Sequence, residues 1–235
     1  MLKKKIVQRV YETPRISIKM LCEYVNASAS RRSTIIKDSS VVPTYIAKRY
    51  NRASEVIANH LTDPKSSFES LKADVVSLIK KTYKSSYERE MAMLSVQAIS
   101  SFAPHAESFK KILGGFKVEQ SNHFNYHKLI IESVEISIRP ELIIRSSINN
   151  DIIGFIKFYF SKSEQLDSES ADLITCLGRN YFNETHELNL VDKNCFVLDV
   201  FRGELSTAPK SFKKRMSDIS ASCREIADRW SRFIN

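Results

Sequence analysis

Residues 129–160 read LIIESVEISIRPELIIRSSINNDIIGFIKFYF, and the class of fold turns on how this stretch is read. Three short runs are rich in β-branched residues: Leu129-Ile130-Ile131, Val134 to Arg139, and Leu142 to Arg145. Such residues suit a pleated, half-buried surface, so each run predicts a strand. Pro140 interrupts them, because proline has no N–H to give to a central ladder. Ser146 to Asp151, with Asn149-Asn150, predicts a hairpin turn. Ile152 to Phe160 is almost wholly apolar, the pattern of a strand covered on both faces.

The chain before this stretch reads as helix. Residues 15–37 predict a helix, a turn at 26–30 and a second helix with Ser30 as its N-cap. The second helix carries Arg31 and Arg32 in its first turn. Residues 44–61 have a helical apolar stripe (Tyr45, Ile46, Tyr50, Ala53, Val56, Ile57, Leu61), with Lys48, Arg49 and Arg52 on the opposite side. Pro64 marks its end. Helices at 67–83 and 86–102 follow, then a short one through Phe109 and Ile112 that stops at Gly114-Gly115. Past the apolar strand, a helix over 167–182 starts at Asp167 or Ser168. A strand over Cys195–Phe201 and a long helix over Ser211–Phe233 complete the chain. The expected class is α+β or α/β: a basic all-helical domain over 1–104, and a mixed-sheet domain over 105–235 with the element order α-β-β-β-α-β.

Charge is unevenly placed. Residues 1–60 hold 12 Lys/Arg against 4 Asp/Glu, residues 61–201 hold 16 against 19, and residues 202–235 hold 8 against 4. The net charge of +9 therefore sits at the two ends of the chain. Clustered cations of this kind bind polyphosphate backbones by releasing condensed counterions, or else dock an acidic protein. Cys22, Cys176, Cys195 and Cys223 are scattered, form no CxxC pair, and read as buried reduced thiols. No run reaches the roughly 20 apolar residues of a membrane span, and Met1–Val7 lacks the apolar core of a signal peptide. These features predict a soluble, cytoplasmic protein without a membrane partner.

Pro140-Glu141 in a strand region, followed after 15 residues by Gly154-Phe155-Ile156-Lys157, resembles the motif of the PD-(D/E)xK, or restriction-endonuclease-like, superfamily. The α-β-β-β-α-β order points the same way. The resemblance covers about residues 105–233 and implies a Mg²⁺-dependent phosphodiester hydrolysis. Glu141 then matches the metal-binding acid and Lys157 the lysine that stabilises developing charge. The sequence departs from the motif at Phe155, which stands where a second acid is required, so Glu135 or Glu132 would have to replace it. Arg139, Arg145 and Tyr159 are placed to line the same face. A lysine inside an apolar strand marks either a site or a paired structural charge. Asp199, in the strand run Val197-Leu198-Asp199-Val200, is a candidate partner for Lys157 or for an arginine.

His123-x3-His127 has metal-like spacing, but Phe124, Asn125 and Tyr126 between them read as loop. No Gly-rich phosphate loop, GxSxG elbow or Cys/His nucleophile pair is present, which argues against nucleotide hydrolysis and acyl transfer. Three readings follow. One is a nucleic-acid-binding protein, with DNA the expected partner, whose nuclease-like core is active or degenerate. Another is a non-catalytic subunit docking DNA or a protein in a larger assembly. The third is a helix-turn-helix transcriptional regulator. The expected nucleic-acid contacts are Arg31, Arg32, Lys48, Arg49, Arg52 and Arg139; Glu141, Lys157 and Glu135 are the expected catalytic residues.

Overall fold

The computed structural model describes residues 9–42, 49–124, 126–162 and 166–234. The chain opens with strand β1 (Arg15–Ser17) and helices α1 (Ile18–Asn26), α2 (Ala29–Ser40), α3 (Asn51–Thr62), α4 (Phe68–Lys80), α5 (Ser86–Phe102) and α6 (Ala106–Leu113). Strands β2 (Phe116–Gln120), β3 (Leu129–Ile131), β4 (Val134–Ser137), β5 (Leu142–Ser146) and β6 (Ile152–Tyr159) follow. Helix α7 (Ser168–His186), strands β7 (Cys195–Asp199) and β8 (Glu204–Thr207), and helix α8 (Lys213–Ile234) end it.

Local chemistry explains most boundaries. Ser17 and Ser28 cap α1 and α2 by accepting from the amides of Met20 and Arg31. The cap of α2 therefore sits two residues before the one expected at Ser30. Ser67 and Ser70 cap α4 reciprocally, and Asp167 caps α7 through Ser170 N at 2.6 Å. Pro140 separates β4 from β5, as its missing donor requires. The first part of the expected 44–61 helix lies outside the described residues, and α3 is seen from Asn51.

The contacts divide the chain into two compact units. Unit 1 comprises residues 1–47, 126–138 and 211–235; unit 2 comprises residues 48–125 and 139–210. The division expected near residue 104 runs through unit 2 instead, where Ile99 and Phe102 share one hydrophobic cluster with Ala106 and Phe109.

In unit 1 a three-stranded sheet has the order β1-β4-β3, with β1 parallel and β3 antiparallel to β4. The β3–β4 turn holds Glu132 and Ser133 at φ 47° and 64°. Helix α8 packs on α1, α2 and β4. Its Trp230 is buried and donates its indole N–H to Tyr11 O at 3.0 Å.

In unit 2 a five-stranded sheet has the order β2-β5-β6-β7-β8. Only β6 and β7 are parallel; the other pairs are antiparallel. One face, with Leu142, Ile144, Ile156, Phe158, Phe196 and Leu198, packs against apolar residues of α3, α5 and α6. The opposite face carries Phe155, which stacks on Phe182 of α7 with centroids 5.5 Å apart. The ring also presses on the backbone of α7: a Cβ at Gly178 would lie 2.4 Å from Phe155 Cζ. With both faces covered, β6 is the buried strand that its apolar run predicts.

The mixed α/β class is thus present, but the strands are distributed differently from the sequence reading. Strands β3 and β4 join the sheet of unit 1, not the one containing β5 and β6. The order α-β-β-β-α-β reappears within unit 2 as α6, β2, β5, β6, α7 and β7, with β2 in the place expected for 129–137. Three short strands, β1, β2 and β8, were not among the expected elements, and β1 lies in a front expected to be all helix.

Candidate functional site

Glu141 stands just ahead of β5, and Lys157 lies on β6, on the α7 side of the unit 2 sheet with Phe155. The two meet. Lys157 Nζ donates to Glu141 Oε1 at 2.7 Å and to Arg139 O at 2.9 Å. Glu141 Oε2 accepts from the amide of Phe158 at 2.6 Å, and the Glu141 amide donates to Ile156 O at 3.0 Å. Both side chains are about one-fifth exposed. The carboxylate thus continues the β5–β6 ladder beyond its last backbone rung, and the ammonium neutralises it.

This corner is closed from the other side as well. Ser121 donates its amide to Glu141 O at 3.0 Å and its hydroxyl to Pro140 O. Arg139 is exposed at the rim. Asp199, at the end of β7, is 1% exposed and does not pair with Lys157. Its carboxylate accepts from the amides of Phe201 and Arg202 at 3.1 and 3.2 Å, and from the Arg202 guanidinium at 3.3 Å. It organises the turn into β8, as a buried acid surrounded by donors does. Arg145 pairs with Glu119 across β2 and β5 at 2.6 Å.

The residues present do not make the Mg²⁺ site that the resemblance implies. A hard cation needs several free carboxylate oxygens, whereas both oxygens of Glu141 are engaged. The position of the second acid is Phe155, 1% exposed and stacked in the α7 interface. Glu135 lies in β4, in the sheet of unit 1, and its carboxylate is engaged by Lys128 at 2.7 Å and Arg15 at 3.7 Å. Glu132, also in unit 1, accepts from Ser220 and from Arg224 at 2.6 and 2.9 Å. These bonds hold its carboxyl below the usual range. Among the described residues, no three His, Cys, Asp or Glu side chains are grouped to hold a metal. Residues 121–123 are a 3₁₀ turn and 126–128 are irregular, so His123 and His127 do not share a helix face.

No protein-family model matches the chain. No curated protein sequence matches it significantly either. What the molecule does must therefore be read from its own residues.

The expected nucleic-acid contacts are scattered. Arg31 is ion-paired with Glu23 across the α1–α2 turn. Arg32 turns inward: Nε and Nη2 donate to Tyr24 O and Val25 O at 3.1 and 3.0 Å, and Nη1 to Glu225 Oε2 at 2.9 Å. It caps the carbonyl end of α1, where a cation is favoured. Arg49 is exposed ahead of α3, Arg52 stands over the Tyr83 ring at 5.1 Å, and Lys48 lies outside the described residues.

One cluster in unit 1 was missed by sequence reasoning. Glu225 of α8 bridges Arg32 and Arg229, at 2.9 and 2.7 Å, beside the buried Tyr24 hydroxyl. Burial, foremost, and the neighbouring carboxylate push the Tyr24 phenol up to about 12. The i,i+4 spacing of Glu225 and Arg229 was visible in the sequence; their partners on α1 and α2 were not.

Most of both basic ends, residues 1–47 and 211–235, belongs to unit 1, while 48–60 and 202–210 belong to unit 2. Unit 1 carries 16 Lys/Arg against 8 Asp/Glu, and unit 2 carries 20 against 19. Among the described residues no helix is long and apolar enough to cross a membrane.

Proposed function

We propose that the chain binds nucleic acid through unit 1 and that unit 2 is a non-catalytic relative of the PD-(D/E)xK core. The observation that carries this reading is the net charge of +8 gathered in unit 1, against +1 in unit 2. Several of its cations are exposed, among them Lys37 on α2 and Lys213 and Lys214 in the first turn of α8. Helix α8 has no acid in that turn. Cations there oppose the helix dipole by a few tenths of a kcal/mol each, a cost that a bound phosphate backbone relieves. The order α6, β2, β5, β6, α7, β7 supports the kinship of unit 2, as do the places of Glu141 and Lys157 on neighbouring strands. The engaged carboxylate and the buried Phe155 support its loss of catalysis.

Fluorescence anisotropy with labelled 30-base-pair DNA, single-stranded DNA and RNA tests this. Binding should weaken steeply with salt, with a log–log slope of about one unit per phosphate contacted. The combined substitution Lys37→Glu, Lys213→Glu and Lys214→Glu should reduce affinity more than tenfold. Incubation with plasmid and Mg²⁺ or Mn²⁺ should give no cleavage. Affinity independent of salt and of these three charges would refute the binding reading. Cleavage lost on Lys157→Ala would refute the non-catalytic one.

A further inference from the structure

Helix α4 has an apolar arc wider than its own fold covers. Over thirteen residues only Leu71 is fully buried, with Val75 and Leu78 partly buried against the hydrophobic cluster. The adjoining flank exposes Phe68, Val76 and Ile79, the last two at 45% and 55%. At about 100° per residue, Phe68, Val76 and Ile79 fall within one quarter-turn of the helix, with Lys72 between them. Lys72 lies over the Phe68 ring at 4.4 Å. A contiguous exposed aliphatic strip on a helix signals a partner more than isolated surface residues do.

The charges around the strip indicate what kind of partner. Residues 65–84 contain Lys65, Lys72, Lys80, Lys81 and Lys84 against Glu69 and Asp74. Lys72 is paired with Glu69 at 3.0 Å. Lys80, Lys81 and Lys84 are exposed, and their ammonium groups have no carboxylate partner among the described residues, although the Lys84 amide donates to Glu88 Oε2 at 3.1 Å. We infer that the α4 flank docks an amphipathic helix of a partner protein, with aliphatic residues on Phe68, Val76 and Ile79 and carboxylates facing Lys80, Lys81 and Lys84. This is the helix-in-groove mode, with affinity from apolar anchors and specificity from complementary charge at the rim. A second copy of the chain offers little complementary charge, because its own α4 region brings five lysines and only Glu69 and Asp74 over residues 65–84. A nucleic acid would leave the aliphatic strip wet. The surface belongs to unit 2, whereas the proposed nucleic-acid residues belong to unit 1.

The test uses the full chain and a fluorescein-labelled 18-residue helical peptide. The peptide carries Leu at i, i+4, i+7 and i+11 flanked by Glu, and a matched version carries Lys in place of Glu. The acidic peptide should bind, and the basic one should bind at least tenfold more weakly. Val76→Ser with Ile79→Ser should weaken the acidic peptide about tenfold or more, a loss matching two exposed aliphatic anchors. Lys80→Glu, Lys81→Glu and Lys84→Glu together should reverse the preference in favour of the basic peptide. That gain of binding cannot come from an unfolded variant. Four results would overturn the inference. They are no binding of the acidic peptide, equal binding of both peptides, and sedimentation showing a dimer that Val76→Ser with Ile79→Ser dissolves. The fourth is strip-dependent binding to phosphatidylserine vesicles without peptide binding. DNA affinity should be unchanged by Val76→Ser with Ile79→Ser, so this inference and the proposed function fail separately.

Discussion

Replacing Glu141 by alanine removes three contacts at once: the 2.7 Å bond from Lys157, the 2.6 Å bond from the Phe158 amide, and the neutralising charge beside Lys157. The Phe158 amide is left without its acceptor, at about 1–3 kcal/mol for an orphaned donor. Lys157 keeps only the Arg139 carbonyl at 2.9 Å. Breaking a fully buried ion pair costs about 3–5 kcal/mol, but both partners are about one-fifth exposed, so water recovers part of it. The expected loss is about 2–3 kcal/mol. Lys157→Met keeps the apolar stem and leaves Glu141 bonded to Phe158, so it should cost about 1 kcal/mol. The double substitution should then cost less than the sum, with a coupling of about 1 kcal/mol. Urea unfolding of the four proteins, followed by far-UV circular dichroism, measures these numbers as shifts in midpoint at constant slope. Both single variants within about 0.5 kcal/mol of wild type would refute the structural role of the pair. If the same variants also abolished a metal-dependent cleavage, the corner would be an active site.

Two further outcomes follow from the packing of unit 2. Gly178→Ala places a methyl 2.4 Å from Phe155 Cζ, where helix backbone and a stacked ring leave no room; it should destabilise by about 1–3 kcal/mol in urea unfolding. Because the clash is with the ring, Phe155→Leu should offset part of that loss in the double variant. His60 is 2% exposed, with Nδ1 against Ser66 Oγ at 2.7 Å and its ring edge-on to Phe102. Burial, assisted by Lys110, lowers its pKa from 6.5 to about 4. The unfolded chain therefore binds a proton that the folded chain refuses, and stability is full above pH 6.5 and falls as the pH drops toward 4. The full effect is about 3 kcal/mol, and His60→Gln should flatten the difference in unfolding free energy between pH 7 and 4.5 by most of that amount.

The candidate site was legible in part, for a definite reason. Lys157 stood out because a lysine in an apolar strand needs a partner, for which Asp199 was the candidate, and Glu141 stood out through the Pro140-Glu141 motif. The hairpin register brings Lys157 and Glu141 together. Glu135, six residues before Glu141, was a candidate to replace the missing second acid, yet it lies in the other sheet. Arg31 and Arg32 likewise read as free cations, because their partners Glu23 and Glu225 are respectively eight and 193 positions away.

What the sequence determined by itself is whatever short-range physics governs. Helical periodicity set α4, α5, α7 and α8 to within a few residues, and an apolar run broken only by Lys157 set β6 as a strand covered on both faces. Tertiary structure alone decided which strands share a sheet. Strand β4 pairs with β1, some 120 residues earlier, and β1 is only three residues long, too short to show any period. Pairing partners are chosen by backbone hydrogen bonds and burial over long sequence separation, and residue alternation carries no record of that choice. The same holds for charge: the tally shows two basic ends, and only the fold gathers most of their cations into one unit.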